Sequence, residues 1–355
     1  MNSEFIVHIS EVDISPTSGM GRVEYNWKNA FEKRDFNFIH IGPSEIGFCL
    51  HKGLFPYKAY SYFKKLKIKP RALIVHEPAS GPFVKKGIPC FLESHGVERR
   101  GWENGNSVRS FLTQNLYPIW RLRNCDIGLA KADKLLLINS DDKVFTERKY
   151  KRNSDDIFIF KNGVTSSNGL ITTLPVDQFT ILFNGTWVER KGIHVLISAA
   201  ENLYKNGIRG ISYLLIGTIK KSVEVLNDWP KHLQEFVTVI DKFEQLDEIE
   251  YLRSANLFVL PSFSEGQPLS LLQAMAAGRC CITTDCDGQK DIVKNGETGL
   301  LFPVGNYTRL TNLITKCYQD DGYVQKIGLQ AKMEMKNRSW ETVSDEVVDY
   351  VLKNS

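Results

Sequence analysis

Residues 258–285, FVLPSFSEGQPLSLLQAMAAGRCCITTD, constrain the fold more than any other stretch of the chain. Phe258-Val259-Leu260 is a short apolar run of the buried-strand type. Pro261, Ser262, Ser264 and Gly266 interrupt it with turn-forming residues. Pro268 can take the first turn of a helix, where a missing N–H costs nothing. Leu269, Leu272, Met275 and Ala276 recur at helical spacing, and Gly278 closes the helix. Cys280 to Thr284 is a second apolar, partly β-branched run. Strand, loop, helix and strand make a βαβ unit, with one acid, Glu265, in the loop before the helix. Ligands of open parallel sheets bind at that edge. A helix N-terminus there suits an anion, because free N–H groups and the helix dipole both favour negative charge.

The same alternation runs through the chain, whose 355 residues point to two domains rather than one core. Glu4 to Ile9 reads as a strand, Val23 to Lys33 as a helix and Phe36 to Ile41 as the next strand. Between the first two lies a polar loop, Asp13 to Gly21, whose Gly19 and Gly21 would let the backbone approach a phosphate. Arg71–His76, Ile88–Glu93, Ala132–Ser140 and Asp156–Phe160 complete the strands of the first half. Residues Thr165 to Pro175, rich in Ser, Thr, Asn and Gly, read as a linker. Phe179–Asn184, Tyr213–Gly217 and Phe236–Ile240 are strands of the second half; Ile193–Lys205, Leu246–Ser254 and the amphipathic Trp340–Leu352 are helices. The fold class is α/β, with two doubly wound domains.

Charge divides along the same line. Residues 1–170 hold 26 Lys and Arg against 18 Asp and Glu, while the whole chain carries only +4. A basic first half points to an anionic partner such as a membrane surface, a phospholipid or a phosphorylated acceptor. Tyr57 to Arg71 concentrates this charge in Lys58, Lys64, Lys65, Lys67, Lys69 and Arg71, interleaved with Tyr57, Tyr60, Tyr62 and Phe63. The plain reading is a solvated helix edge. The sharper one is docking to an anionic membrane, with aromatics at headgroup depth. Nucleic acid is not expected, because no helix-turn-helix, RNA-binding or zinc motif accompanies the charge. Seven cysteines, odd in number and without C-x-x-C spacing, read as reduced structural thiols in a cytoplasmic protein. The start, MNSEFIVHIS, does not read as a signal peptide, and no apolar run approaches the ~20 residues of a membrane span. Attachment to the inner face of a membrane would then be peripheral.

Two histidines close strands at the edge where ligands of such sheets bind: His76 before Glu77-Pro78, and His95 between Ser94 and Gly96. A lone histidine is more often structural than functional. Glu98, Arg99, Arg100 and Arg109 follow, either as a cluster that serves a ligand or as an ordinary charged surface.

The 258–285 segment resembles the Glu-x7-Glu signature of the retaining nucleotide-sugar glycosyltransferases of family 4 (group 1), which have the GT-B fold of two Rossmann-like domains facing across a cleft. Pro261, Ser262, Glu265, Gly266, Pro268, Leu271, Leu272, Ala274, Met275, Ala276 and Gly278 carry the match. Further likenesses follow in family order: the Gly19/Gly21 loop, His95-Gly96, Asn162-Gly163-Val164, Lys191-Gly192 and Asn295-Gly296 with Gly299. Two positions depart. The second glutamate is Gln273, and the arginine that usually precedes the Lys-Gly element is Thr186, with Arg190 beside Lys191 as a substitute cation.

The resemblance implies a glycosyltransferase of the hexosyl type that moves a sugar, with retention, from a nucleotide diphosphate to a glycan, lipid-linked or protein acceptor in envelope polysaccharide or glycoconjugate synthesis. It implies an acceptor domain over 1–165, a linker over 166–178, a nucleotide-sugar domain over 179–335, and a last helix over 336–355 crossing back onto the first domain. Glu265, His95 and Lys191 are the implied catalytic residues. Glu265 would bind the sugar or stabilise the cationic anomeric centre, His95 would contact sugar hydroxyls, and Lys191 would neutralise the diphosphate. Gly19, Gly21, Arg190, Gly266, Gln267, Pro268, Leu269 and Gln273 are the implied donor-binding set, Gln273 at the ribose. In relatives the loop after the 236–240 strand lies against the base, which marks Phe243. No cofactor or metal is expected, because Lys191 brings cationic charge to the leaving group. Two other classes stay open: a GT-B epimerase or hydrolase of sugar nucleotides, and a non-catalytic relative that only binds a nucleotide sugar, which the departures at Thr186 and Gln273 keep in view.

Overall fold

The computed structural model describes residues 4–17, 19–105, 116–165, 178–244 and 247–355. The expected linker up to residue 177, Arg109, and the first residue of the helix read from Leu246 lie outside the described residues. The chain forms two compact units: Met1–Gly163 with Trp340–Ser355, and Val164–Ser339.

The first unit is built on a six-stranded sheet in the order β2-β1-β3-β4-β5-β6. Its strands are β1 (Phe5–Ile9), β2 (Asn37–Ile41), β3 (Ala72–His76), β4 (Cys90–Ser94), β5 (Lys134–Leu137) and β6 (Ile157–Ile159). All pairings are parallel, with Val7 opposite both Ile39 and Leu73, and Leu92 opposite Val75 and Leu135. The central strands β3 and β4 are buried at every residue, as expected where helices cover both faces of a parallel sheet. The helix Gly19–Glu32 lays Val23, Trp27, Ala30 and Phe31 on the core. It starts earlier than the expected Val23, so Gly19 and Gly21 lie in its first turn rather than in a loop. Gly19 is not required there by sterics, since a Cβ at this position would meet no atom within 4 Å.

The closing helix, Trp340–Lys353, belongs to this unit. It buries Val343, Val347 and Val348 and packs on the helix Gly19–Glu32, with the Arg22 guanidinium over the Trp340 ring at 5.5 Å. Gly163 makes the return close: a Cβ there would sit 2.6 Å from the Trp340 Cα.

The second unit repeats the plan with the order β12-β11-β10-β7-β8-β9. Its strands are β7 (Phe179–Asn184), β8 (Ile211–Ile216), β9 (Val237–Ile240), β10 (Leu257–Leu260), β11 (Cys280–Thr284) and β12 (Leu300–Phe302), again all parallel. β10 lies between β7 and β11 with Leu257 opposite Ile181 and Cys280. Its four side chains are fully buried, and each such burial is worth about 1.5–3 kcal/mol. Cys280 and Cys281 fill β11 as small hydrophobes, and burial pushes the Cys281 thiol far up. All seven cysteines are free thiols. Among the described residues, no helix is long and apolar enough to cross a membrane.

Candidate functional site

In the second unit the strand order reverses at β7, which has β8 on one side and β10 on the other. A crevice at the C-terminal ends of the two strands flanking such a reversal is where open α/β sheets take ligands. Lys191 follows β7 and Glu265 follows β10, so the topology alone brings these two loops side by side.

β7 ends at Asn184 and passes through Gly185 and Thr186 into a tight 3-10 turn, Glu189–Lys191. Gly192 then adopts φ 73° and opens the helix Ile193–Lys205. A Cβ at Gly192 would sit 1.9 Å from the Pro261 carbonyl oxygen, so only glycine lets this turn lie against the loop leaving β10. The two loops are stitched by Phe263 N, which donates to the Arg190 carbonyl at 2.8 Å. The result is an ion pair: Lys191 Nζ lies 2.6 Å from Glu265 Oε1, and Arg190 Nη1 lies 3.2 Å from the same oxygen. Arg190 also donates to the Ser264 carbonyl at 2.6 Å. The Lys191 contact is coulombic rather than a well-aligned hydrogen bond, since Oε1 has no partner of hydrogen-bond geometry. Glu265 and Lys191 are 9% and 13% exposed, Arg190 56%. Two cations around one carboxylate leave a net positive charge for an anionic ligand.

The loop carrying Glu265 is held from below. Thr283 Oγ1 donates to the Leu260 carbonyl (2.8 Å) and Thr284 Oγ1 to the Ser262 carbonyl (2.5 Å). Gly288 fits against the Gly266 carbonyl, where a Cβ would come within 1.6 Å. Gln267 accepts from Arg338 through its Oε1. Pro268 stands just outside the helix Leu269–Ala276 as its N-cap, φ −67° and ψ 122°, and not within the first turn as expected. It offers no side-chain cap, so the first-turn amides, starting at Leu269, keep their donor capacity. Gln273 lies one turn on, buried, and its side-chain amide makes no hydrogen bond among the described residues. Thr186 carries no charge, and its carbonyl accepts from Val188 N at 3.0 Å. Phe243 packs edge-on against Tyr251, centroids 5.8 Å apart. The expectation of no metal passed over Asp285-Cys286-Asp287, a D-x-D spacing. Asp287 accepts from Ser264 Oγ at 2.6 Å, beside the Glu265 loop.

His95, Gly19 and Gly21 belong to the first unit. There a cavity of about 770 Å³ opens at the C-terminal ends of β1, β3 and β4, with His76, Glu77, His95, Glu98 and Arg121 on its polar side and Met20, Ile46 and Phe48 on its apolar side. His95 Nε2 lies 2.6 Å from Glu93 Oε1. Burial drives His76 down to about 3, so its ring is neutral. Burial, and then the nearby Glu98, pushes Glu77 up to about 8, so it is a neutral acid at pH 7. Glu98 is the partner of Arg121, whose Nη1 also reaches Glu11. Sequence reasoning missed both Arg121 and Glu11, because 110 residues separate them and no local pattern joins them. Arg99 is paired with Asp126, and Arg100 Nε with Asp142 at 2.6 Å. Among the described residues, the groups that could share one ion are His8, Glu24 and His40, and Asp13, His40 and Glu45.

The basic stretch is a helix, Phe55–Lys65, with an extension. Its aromatics are partly spent on packing: Tyr60 stands edge-on to Phe83 at 5.3 Å, with Lys64 over its ring. Arg71 is held by Glu4 at 2.9 Å. Exposed apolar side chains lie just before it at Phe48 (84%), Leu50 (87%) and Leu54, and at its start at Tyr57. Trp120 joins them, its ring 4.8 Å from His51.

Comparison with known proteins bears on the second unit first. Residues 171–338 match the family model described as glycosyl transferases group 1. The capsular polysaccharide biosynthesis glycosyltransferase CapM of Staphylococcus aureus is 28% identical over 282 residues, which is 70% of this chain and 72% of the relative. Among solved structures, sucrose-phosphate synthase from Thermosynechococcus elongatus superposes with a TM-score of 0.80 at 18% identity, covering 99% of this chain and 98% of that one. HepE of Anabaena, solved in complex with UDP and glucose, gives 0.73 at 14% identity, with 99% and 100% covered. At such identities the structural likeness carries the fold alone.

Proposed function

We propose, for a chain that belongs to the group 1 glycosyltransferases and has their GT-B fold, that it moves a hexosyl group from a nucleotide diphosphate sugar to a saccharide-bearing acceptor with retention of anomeric configuration. The observation that carries this reading is the Lys191–Glu265 pair, with Arg190 on the same oxygen, at the switch point of the second sheet.

The chemistry follows from charge. When the bond from the anomeric carbon to the diphosphate breaks, negative charge grows on the leaving phosphate and positive charge on the sugar. Lys191 and Arg190 are placed in advance for the first, and such preorganised charge lowers a barrier by several kcal/mol. Glu265 answers the second, either by contact with the sugar or by stabilising its cationic centre. Gly266, Gln267 and Pro268 lead the donor to the start of the helix Leu269–Ala276, whose first-turn amides, from Leu269 on, face the anion in this reading. Gln273 sits at the ribose in this reading. An amide accepts from a hydroxyl without the charge that would strengthen the bond, so nucleotide choice should be looser than with a carboxylate.

The first unit takes the acceptor in this reading, with His95 on the donor sugar's hydroxyls and Gly19 and Gly21 offering helix-start amides to the diphosphate. Gly19 and Gly21 serve there as first-turn donors, not as a flexible loop. The acceptor belongs to polysaccharide or glycoconjugate synthesis, as the name of the Staphylococcus aureus relative supports. The exposed Phe48, Leu50, Leu54 and Trp120 beside Lys52 and Lys58 favour an acceptor met at an anionic membrane surface.

A screen of nucleotide diphosphate sugars, read by calorimetry and then by donor consumption with and without acceptor, tests the whole. Consumption that depends on acceptor, with an anomer of unchanged configuration in the product, supports it. Consumption without acceptor would make the protein a hydrolase or epimerase; tight binding without consumption would make it a binding module. Turnover that persists in EDTA would show that the side-chain cations suffice without a metal at Asp285-Cys286-Asp287.

A further inference from the structure

The reading of His95 as a contact to substrate hydroxyls leaves Glu93 without a task. Glu93 is fully buried at the C-terminal end of β4, and both its oxygens are taken. Oε1 lies 2.6 Å from His95 Nε2, and Oε2 lies 3.0 Å from His8 Nε2. An ionised carboxylate only accepts hydrogen bonds, so each contact requires a proton on the imidazole Nε2 that faces it. Burial by itself would push the Glu93 carboxyl up, but the two histidine hydrogen bonds outweigh it and hold the carboxyl below the usual range.

The ring of His95 is therefore fixed in both orientation and tautomer. With Nε2 protonated, a neutral ring carries its lone pair on Nδ1. His95 makes no other hydrogen bond among the described residues, and its ring forms part of the wall of the 770 Å³ cavity. Phe160 meets the ring edge-on with centroids 5.3 Å apart, which restricts its rotation. Behind Glu93 the chain of contacts continues. His8 Nδ1 lies 2.9 Å from His40 Nδ1, and burial, with His8 beside it, drives His40 down to about 3. Burial opposes charge on His8, but Glu24 and Glu93 outweigh it and raise His8 above its usual range, and in either protonation state the nitrogen facing Glu93 carries a proton. His8 and His95 thus donate to the Glu93 carboxylate from opposite sides.

We propose that Glu93 is a positioning residue, braced by His8, that locks His95 in the Nε2–H tautomer so that its Nδ1 lone pair accepts a hydrogen bond from a substrate hydroxyl in the first unit's cavity. The inference rests on the reading of His95 as a substrate contact and adds the sense of that contact: the site takes a ligand group that donates, such as a sugar hydroxyl. It disfavours the same position methylated or replaced by fluorine. No proton needs to be transferred.

The decisive measurement is two-bond ¹H–¹⁵N NMR on the full chain with labelled histidine, the His95 signals identified by their loss in His95→Gln. The unmodified protein should show a protonated Nε2 and a bare Nδ1 for His95. A His95 protonated at Nδ1 would overturn the proposal whatever the activity, so this arm stands even if no transfer reaction is found. In Glu93→Gln, one amide oxygen and one NH₂ replace two acceptors, so one of the two rings must change tautomer. Where His95 is the ring that changes, donor turnover should fall on the order of 10- to 100-fold, the size of loss seen when the outer partner of a metal-bound histidine is removed. Glu93→Asp, which keeps two acceptors, should retain the His95 tautomer and recover part of the loss. Unchanged His95 and His8 tautomers together with unchanged turnover in Glu93→Gln would also overturn it.

Discussion

At the scale of single residues, the outcome turns on which charges are buried and which are paired. Lys191 is the clearest case. It is nearly buried, its Nζ rests against Glu265, and in the proposed reaction it faces growing negative charge. Lys191→Ala should lower donor turnover by about 100-fold or more, the usual cost of removing a preorganised charge from a transition state. A loss within about threefold, measured under saturating donor, would remove Lys191 from the diphosphate. Glu77 gives a second test, on stability. An unfolded glutamate ionises near 4.5, whereas burial holds Glu77 at about 8. Between those values the native state keeps a proton that the unfolded chain has lost, so stability falls as pH rises, by up to about 1.4 kcal/mol per unit. Glu24, at about 7 through burial, acts in the same sense up to that pH. His40 and His76, both at about 3, act in the opposite sense, but their contribution is complete once the unfolded histidines lose their protons near 6.5. From pH 7 to 8 the Glu77 effect should dominate among these four. Glu77→Gln, which cannot ionise, should flatten the decline in denaturant midpoint of the first unit between pH 7 and 8.

At the scale of elements, period and punctuation were enough wherever a segment buries one consistent face. The strand Phe179–Asn184, the helix Ile193–Lys205 and the strand Cys280–Thr284 have the bounds read from their apolar runs. Boundaries failed where glycine was taken as loop chemistry. Gly19 and Gly21 are helical because the next turn, Val23 to Trp27, packs hard on the sheet, and tertiary burial outweighs their weak helix propensity. Ser140, read as the end of a strand, starts the helix Ser140–Tyr150 instead, with Asn139 as its cap. Gly192 is the opposite case, a glycine the backbone requires. Gly192→Ala must place a Cβ against the Pro261 carbonyl at positive φ. It should destabilise the second unit by more than about 2 kcal/mol. It should also cut turnover by moving Lys191 away from Glu265. A chemical denaturation curve of the second unit and a donor assay would read both effects; an unshifted midpoint would mean that the β10 exit loop yields at little cost.

At the scale of the whole molecule, the question is what surface the chain presents. Residues 48–71 contain seven Lys and Arg and no acid. Side-chain packing moves the apolar part of that surface from Tyr60 and Phe63 to Phe48, Leu50 and Leu54, with Trp120 arriving from a distant segment. Replacing Phe48, Leu50 and Trp120 together by serine should reduce sedimentation with vesicles containing anionic lipid at least tenfold and leave the melting curve in place. Binding that ignores both lipid charge and these residues would end the membrane reading. The sequence by itself determined the α/β class, the near-complete run of parallel strands and the group 1 signature around Glu265. These depend on local periodicity and on spacings within a few tens of residues. Only the tertiary structure decided which charges meet. The Arg121–Glu11 and Glu93–His8 pairs, the neutral state of Glu77 and the reach of Lys191 to Glu265 across the switch point all join strands far apart in the chain. A contact between distant segments exists because a sheet order and a burial depth create it, and neither is written in any one stretch of residues.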